Sequence, residues 1–124
     1  HHNMTHNQNG KGYLEVQKID LFHMQQYAYV LKRMKEIKES DGSSMLDNSL
    51  VTYGAALGDG STHQYYDLPM IVAGRGQGQV NQGRFIQCKS GTLNSNLWLS
   101  VAKLMGLEIE SFADSTGLIS DMWA

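Results

Sequence analysis

The feature that most constrains the fold is a run of apolar residues spaced three or four apart between Ile19 and Ile37. Such spacing places the apolar side chains on one side of an α-helix. The members of this face are Ile19, Phe22, His23, Tyr27, Val30, Leu31, Met34 and Ile37. The sequence therefore predicts a long amphipathic helix that ends near Glu39, where Ser40, Asp41 and Gly42 form a stop signal.

The rest of the chain has only short apolar runs, separated by many of its 13 glycines. Short runs bounded by turn residues are typical of strands, and a run with helical spacing that ends at Gly106 indicates a second helix. The predicted elements are strands at 49–54 and 68–73, a third strand at 84–88, a helix from about 93 to 104, an irregular opening segment at 1–12 and an irregular tail at 107–124.

This order of elements predicts an α/β fold. Two or three strands are few for an independent sheet, so residues 1–124 form either a single domain or the carboxy-terminal part of a larger α/β domain. With 41% apolar residues the composition is that of a soluble globular protein, and no apolar run has the length of a membrane span. We expect the open edges of the sheet to be covered by an upstream part of the same protein or by self-association.

Charge and cysteine content exclude further classes. A net charge of -2 leaves no basic field for nucleic acid, and the basic residues at 32–38 have the spacing of a solvated helix face. Cys88 is the single cysteine, so we expect no internal disulfide and a partly buried, inert thiol. The chain opens on His1 and His2, which are either a tag remnant or the start of a piece of a longer protein.

The loop between the first two predicted strands carries the densest set of potential metal ligands. Asp59 supplies a carboxylate oxygen and His63 an imidazole nitrogen, and this mixture suits zinc, manganese or iron better than calcium. In open α/β sheets, sites collect beyond the carboxyl ends of strands, which is where this loop lies. The alternative is an ordinary turn at Asp59 and Gly60 followed by a surface histidine.

Other histidines and loops offer weaker candidates. If the opening segment is helical, His2 and His6 share a face and can chelate one metal; otherwise they are tag-like. We expect His23 to be a core histidine. The glycine-rich stretch 74–78 lacks the Lys-Ser/Thr ending of a phosphate loop and is expected to connect two strands, and Ser115 has no local base.

Taken together, the motifs resemble those of the HXXSHH family, a domain of unknown function. Residues 2–7 stand where that family has His-x-x-Ser-His-His, and Asp59, Gly60 and His63 resemble its central motif. The further matching segments, in chain order, are 19–23, 46–49, 53–54, 67–69, 73–74, 96–100, 105–106 and 114–117. Departures are Thr5 for Ser, Asn7 for the final His, Gly58 for a common Ser, and Gln64-Tyr65-Tyr66 where relatives have more histidine.

The HXXSHH family is similar in layout to the alkaline phosphatases and sulfatases, and this similarity sets the functional expectations. It implies a divalent metal held by Asp59, His63, His2 and His6, with Thr5 and Asp67 in supporting positions. It also implies export and hydrolysis of a small phosphate or sulfate ester, with a nucleophile in the upstream part of the protein. The alternative is a non-catalytic exported binding or scaffold protein of the same fold.

Overall fold

A computed structural model of the chain describes residues 1–6, 10 and 12–124, and it has a mixed α/β fold. Two short strands form a two-stranded antiparallel sheet. The elements are α1 (His2–His6), α2 (Gly12–Glu36), β1 (Val51–Gly54), β2 (Met70–Ala73), α3 (Asn94–Leu104) and a 3-10 turn (Ser120–Met122). The predicted order of long helix, two strands and second helix is therefore confirmed.

The chain divides into two compact units. The first contains residues 1–37 and 51–72, and the second contains residues 38–50 and 73–124. Every buried residue among those that the structure describes lies in the second unit. Its apolar core consists of Val80, Leu97, Leu99, Leu104 and Met122. The first unit is therefore held by half-buried contacts.

The anchor of the first unit is Tyr27 on α2. Its hydroxyl donates to the Val51 carbonyl of β1 at 2.9 Å, and its ring lies 5.2 Å from the ring of Tyr53. Partial burial raises the pKa of the Tyr27 phenol, so the hydroxyl, which is protonated at neutral pH, remains a donor further into the alkaline range. The contact fixes the middle of α2 against the strand from which the candidate loop emerges.

The long helix differs from its prediction in two respects. It ends at Glu36, and it contains no buried residue, so Phe22, His23 and Val30 are exposed. The prediction of a core histidine at position 23 is therefore wrong. A helix of 25 residues is about 37 Å long, whereas a strand of four residues covers about 13 Å, so the sheet is too short to cover the helix.

The second unit is organised by polar groups on α3. The Ser100 hydroxyl, which is fully buried, donates to the Asn96 carbonyl at 2.7 Å and accepts from the Ile119 amide at 2.8 Å. The Asn96 side-chain oxygen accepts from the Thr116 amide at 2.8 Å. The tail, expected to be irregular, is thus tied to α3 and ends in a bridge between Val80 and Trp123.

Three local predictions need correction. The segment 84–88 forms no strand; it stays unpaired, with Phe85 exposed. Cys88, expected to be partly buried, is exposed on this segment. The opening residues, expected to be irregular, form the helix α1. No helix within the described residues combines the length and apolarity that crossing a membrane requires.

The Tyr27 contact predicts a specific stability loss. Tyr27→Phe removes the donor to the Val51 carbonyl and should lower the free energy of unfolding by about 1 kcal/mol. Tyr29→Phe is the matched control, because Tyr29 lies on the same helix and is exposed. Urea unfolding followed by circular dichroism measures both, and an equal loss in the two variants would contradict the role of the hydrogen bond.

The buried hydroxyl of Ser100 predicts a second loss. Ser100→Ala leaves the Ile119 amide without its acceptor and should cost about 1–3 kcal/mol, whereas Ser111→Ala, at an exposed tail position, should cost little. Hydrogen exchange at the Ile119 amide should accelerate in Ser100→Ala. Unchanged exchange at that amide would show that Ser100 does not hold the tail.

Candidate functional site

The loop that follows β1 is closed by its own backbone. The Gly58 amide donates to the Gln64 carbonyl at 2.7 Å, and the Gln64 amide donates to the Asp59 carbonyl at 3.0 Å. A Cβ at Gly58 would lie 2.4 Å from the Tyr66 carbonyl oxygen, so only glycine fits at this crossing. This closure makes residues 60–63 a compact loop tip.

Asp59 caps this tip through its carboxylate. One oxygen accepts from the Ser61 amide at 3.1 Å, and the other accepts from the Thr62 amide at 3.1 Å and the Thr62 hydroxyl at 2.5 Å. This pattern is that of an Asx turn, in which an aspartate replaces backbone acceptors. Asp59 therefore organises the loop that carries His63, and its proposed part as a metal ligand stays a prediction.

His63 has a left-handed backbone conformation at the loop tip. Its φ of 55° lies in the left-handed region, which histidine enters more readily than most non-glycine residues. The His63 Nε2 atom lies 3.2 Å from the Nε2 atom of His6, and the two ring centroids are 4.9 Å apart. The structure thus brings together two predicted site residues that are far apart in the sequence.

The helix α1 carries the other two candidates onto the same loop. The rings of His2 and His6, four positions apart, have centroids 4.6 Å from each other, as the helical alternative predicts. Thr5 donates its hydroxyl to the His2 carbonyl at 2.7 Å, within the helix. A Cβ at Gly60 would lie 3.1 Å from the Thr5 Cβ atom, so the absence of a side chain at Gly60 allows α1 to approach the loop.

The spacing of the imidazoles can be compared with that of metal ligands. With metal–nitrogen bonds of about 2.0–2.1 Å, two nitrogens 3.2 Å apart subtend an angle of about 100° at the ion, between the octahedral and tetrahedral values. Within the described residues, however, no three His, Cys, Asp or Glu side chains are arranged to hold a metal. His6 and His63 therefore have the spacing of two ligands of one ion, and His2 would have to rotate to join them.

The same pair has a simple interaction in the absence of metal. The Nε2 atom of one ring carries a hydrogen and donates it to the Nε2 atom of the other ring. The tautomers of the two rings decide which ring is the donor. All three rings are exposed, so exchange between this hydrogen bond and a metal requires no opening of a core. Asp67, the other predicted supporting residue, is exposed and has a left-handed φ of 53° four positions beyond His63.

A second polar cluster, in the second unit, was missed by the sequence reasoning. It is an open cleft of about 610 Å³. The cleft is lined by Glu39, Asp41, Ser43, Asp47, Asn48, Arg75, Gln77 and Gly78. Its only sequence signal is the alternation of serine with acidic residues between positions 39 and 49, which is typical of turns.

The carboxylates of this cleft accept hydrogen bonds within its turns. The Ser43 hydroxyl and amide donate to Asp41 and lower the pKa of that carboxyl, and Ser44 does the same for Asp47. The Asn48 amide joins the network by donating to Glu39 at 2.5 Å. These contacts account for the residue types as turn formers, so the imidazole pair is the stronger candidate site.

Comparison with protein-family models, curated proteins and solved structures finds no match to this chain. The expected membership of the HXXSHH family therefore stays a prediction.

The capping role of Asp59 can be separated from its charge. Asp59→Ala removes the carboxylate oxygens that accept from the Ser61 and Thr62 amides and should lower the free energy of unfolding by about 1 kcal/mol, as removal of other Asx caps does. Asp59→Asn keeps one oxygen acceptor and should retain most of that stability. If the two variants lose equally in urea unfolding, the negative charge, not the capping geometry, stabilises the loop.

Proposed function

We propose that this chain binds a divalent transition metal through the imidazoles of His6 and His63, with His2 as a third ligand. The observation that carries the proposal is the 3.2 Å separation of the His6 and His63 Nε2 atoms. Three imidazoles favour zinc or iron over manganese, which prefers oxygen ligands. Because Asp59 is engaged by the loop, nitrogen donors form the first choice of ligand set.

The protein contributes ligand positions from two separate segments. The left-handed backbone of His63 and the capped loop set one nitrogen, and the packing of Thr5 on Gly60 sets the helix that carries the other. Exposure of all three rings leaves the remaining coordination positions open to water or to a small ligand. An open position is the arrangement that catalytic metal sites use.

We further propose the finer assignment that the resemblance implies, a half-site of a phosphate- or sulfate-ester hydrolase of the HXXSHH and alkaline-phosphatase type. The support is that β1, a strand of an α/β fold, runs into the loop that bears His63. A bound metal would supply polarisation of the ester oxygen. The nucleophile would come from an upstream part of an exported parent protein.

Elemental analysis of dialysed protein after addition of zinc tests the metal proposal. The unmodified chain should retain about one ion, and isothermal titration should show affinity reduced at least about 100-fold in His6→Ala and His63→Ala. His23→Ala is the matched control, because His23 is an exposed histidine on α2 and should leave binding unchanged. His2→Ala, expected to weaken binding less, tests the third ligand.

The alternative outcomes are informative. Equal metal content in His6→Ala, His63→Ala and the unmodified chain would overturn the site. Absence of metal in all of them would favour the non-catalytic scaffold, in which the two imidazoles simply hydrogen-bond to each other. If metal binds, hydrolysis of aryl phosphates and aryl sulfates by the parent protein, lost in His63→Ala, tests the ester-hydrolase assignment separately.

A further inference from the structure

The segment 82–88 of the second unit belongs to no helix or strand. Its backbone amides and carbonyls make no hydrogen bond to other backbone groups within the described residues. Every residue of the segment except Ile86 is exposed, and Phe85 is 90% exposed. A protease can bind such a segment without first opening regular structure, so folded proteins are cut at exposed segments of this kind.

A single basic residue, Arg84, lies inside this segment. Its guanidinium donates a hydrogen bond to the Asp121 carbonyl at 3.1 Å, at the protein surface. Because that bond is exposed, the arginine can exchange it for the carboxylate of a protease pocket. Gly83, directly before Arg84, has a φ of 71°, and glycine can leave this conformation for the extended backbone that protease active sites bind.

The chain has two other arginines, and hydrogen bonds of the backbone protect both. Arg33 lies in α2, and its carbonyl accepts from the Ile37 amide at 3.1 Å. The carbonyl of Arg75 accepts from the Val80 amide at 3.1 Å. The carbonyl before a cleaved bond must enter the oxyanion hole of the protease, so a carbonyl that is already bonded resists cleavage. Within the described residues, Arg84 alone among the three has a carbonyl without such a bond.

Cleavage at this position is a hydrolysis of the peptide bond between Arg84 and Phe85. Water adds across the bond: its oxygen goes to the carbonyl carbon of Arg84, which becomes a carboxylate. The nitrogen of Phe85 takes up a proton and becomes a new amino terminus. The protease supplies the nucleophile, the base and an acidic pocket for the guanidinium, and the chain supplies the accessible bond.

The two sides of the cut are held together by the second unit. The Asn81 amide donates to the Met122 carbonyl at 3.1 Å. The Ala124 amide donates to the Gln79 carbonyl at 2.8 Å. Val80, before the cut, is 6% exposed, and Met122, beyond it, is 5% exposed. Hydrolysis in the unpaired segment between these residues breaks none of these contacts.

We propose that the Arg84–Phe85 bond is a processing site for an arginine-selective endoprotease, and that cleavage yields two fragments that stay associated. The contacts behind this proposal lie in the second unit, whereas His6 and His63 lie in the first. The processing site and the metal site can therefore fail or hold separately.

Limited digestion of the unmodified chain with a purified arginine-specific endoprotease, followed by mass spectrometry, tests the site. The first cut should fall after Arg84. Its rate should exceed the rates after Arg33 and Arg75 at least about 100-fold, because those two bonds become accessible only after local opening. The two fragments should elute together in size-exclusion chromatography and separate in urea.

The variant Phe85→Pro tests the bond itself while it keeps Arg84. Proline has no N–H and a fixed φ, so it blocks hydrolysis of the bond before it, and the variant should lose the first cut. Gln87→Pro is the matched control, because it places a proline in the same exposed segment but away from the bond, and it should still be cut after Arg84. Circular dichroism should show that both variants keep their helices.

Two results would overturn the proposal. A first cut after Arg33 or Arg75, or equal rates at the three arginines, would show that the segment 82–88 is no more accessible than the rest of the chain. Fragments that separate in native buffer would show that the second unit does not hold the cleaved form together.

Discussion

The hydrogen bond from the Tyr27 hydroxyl to the Val51 carbonyl is the contact on which the first unit depends. This unit has no buried residue among those described, so a single directional contact carries more weight than it would beside an apolar core. It fixes α2 against β1, and β1 leads directly into the loop that carries His63. The position of the candidate site therefore follows from a tyrosine in the middle of a helix.

The candidate site illustrates how small residues and caps place reactive side chains. Gly58 permits the backbone crossing, Gly60 allows α1 to approach, and Asp59 holds the tip between them. None of the three needs to touch a metal for the His6 and His63 nitrogens to come within 3.2 Å. An aspartate in a ligand-rich loop can thus serve the site through the backbone, which its residue type alone does not reveal.

The sequence predicted the helices and strands more accurately than it predicted which side chains are buried. The spacing between Ile19 and Ile37 predicts α2 correctly, because helical periodicity is a local property. The sequence patterns fail for the burial of His23 and for the strand at 84–88, because burial and strand pairing depend on neighbours from elsewhere in the chain. The two-stranded sheet is too small to cover the full length of α2, and the segment 84–88 does not join the sheet. Apolar residues of both therefore remain exposed.

For the site, sequence alone determined the candidate residues, and it placed His2 and His6 on one face only if the opening segment is helical. Only the tertiary structure brought His63 to His6, because the meeting depends on a left-handed backbone at His63 and on the packing of Thr5 against Gly60. Likewise, the sequence predicted a long helix with one apolar face. Which side remains uncovered was decided by the Tyr27 contact, since a helix anchored to a small sheet on one side leaves the opposite side exposed.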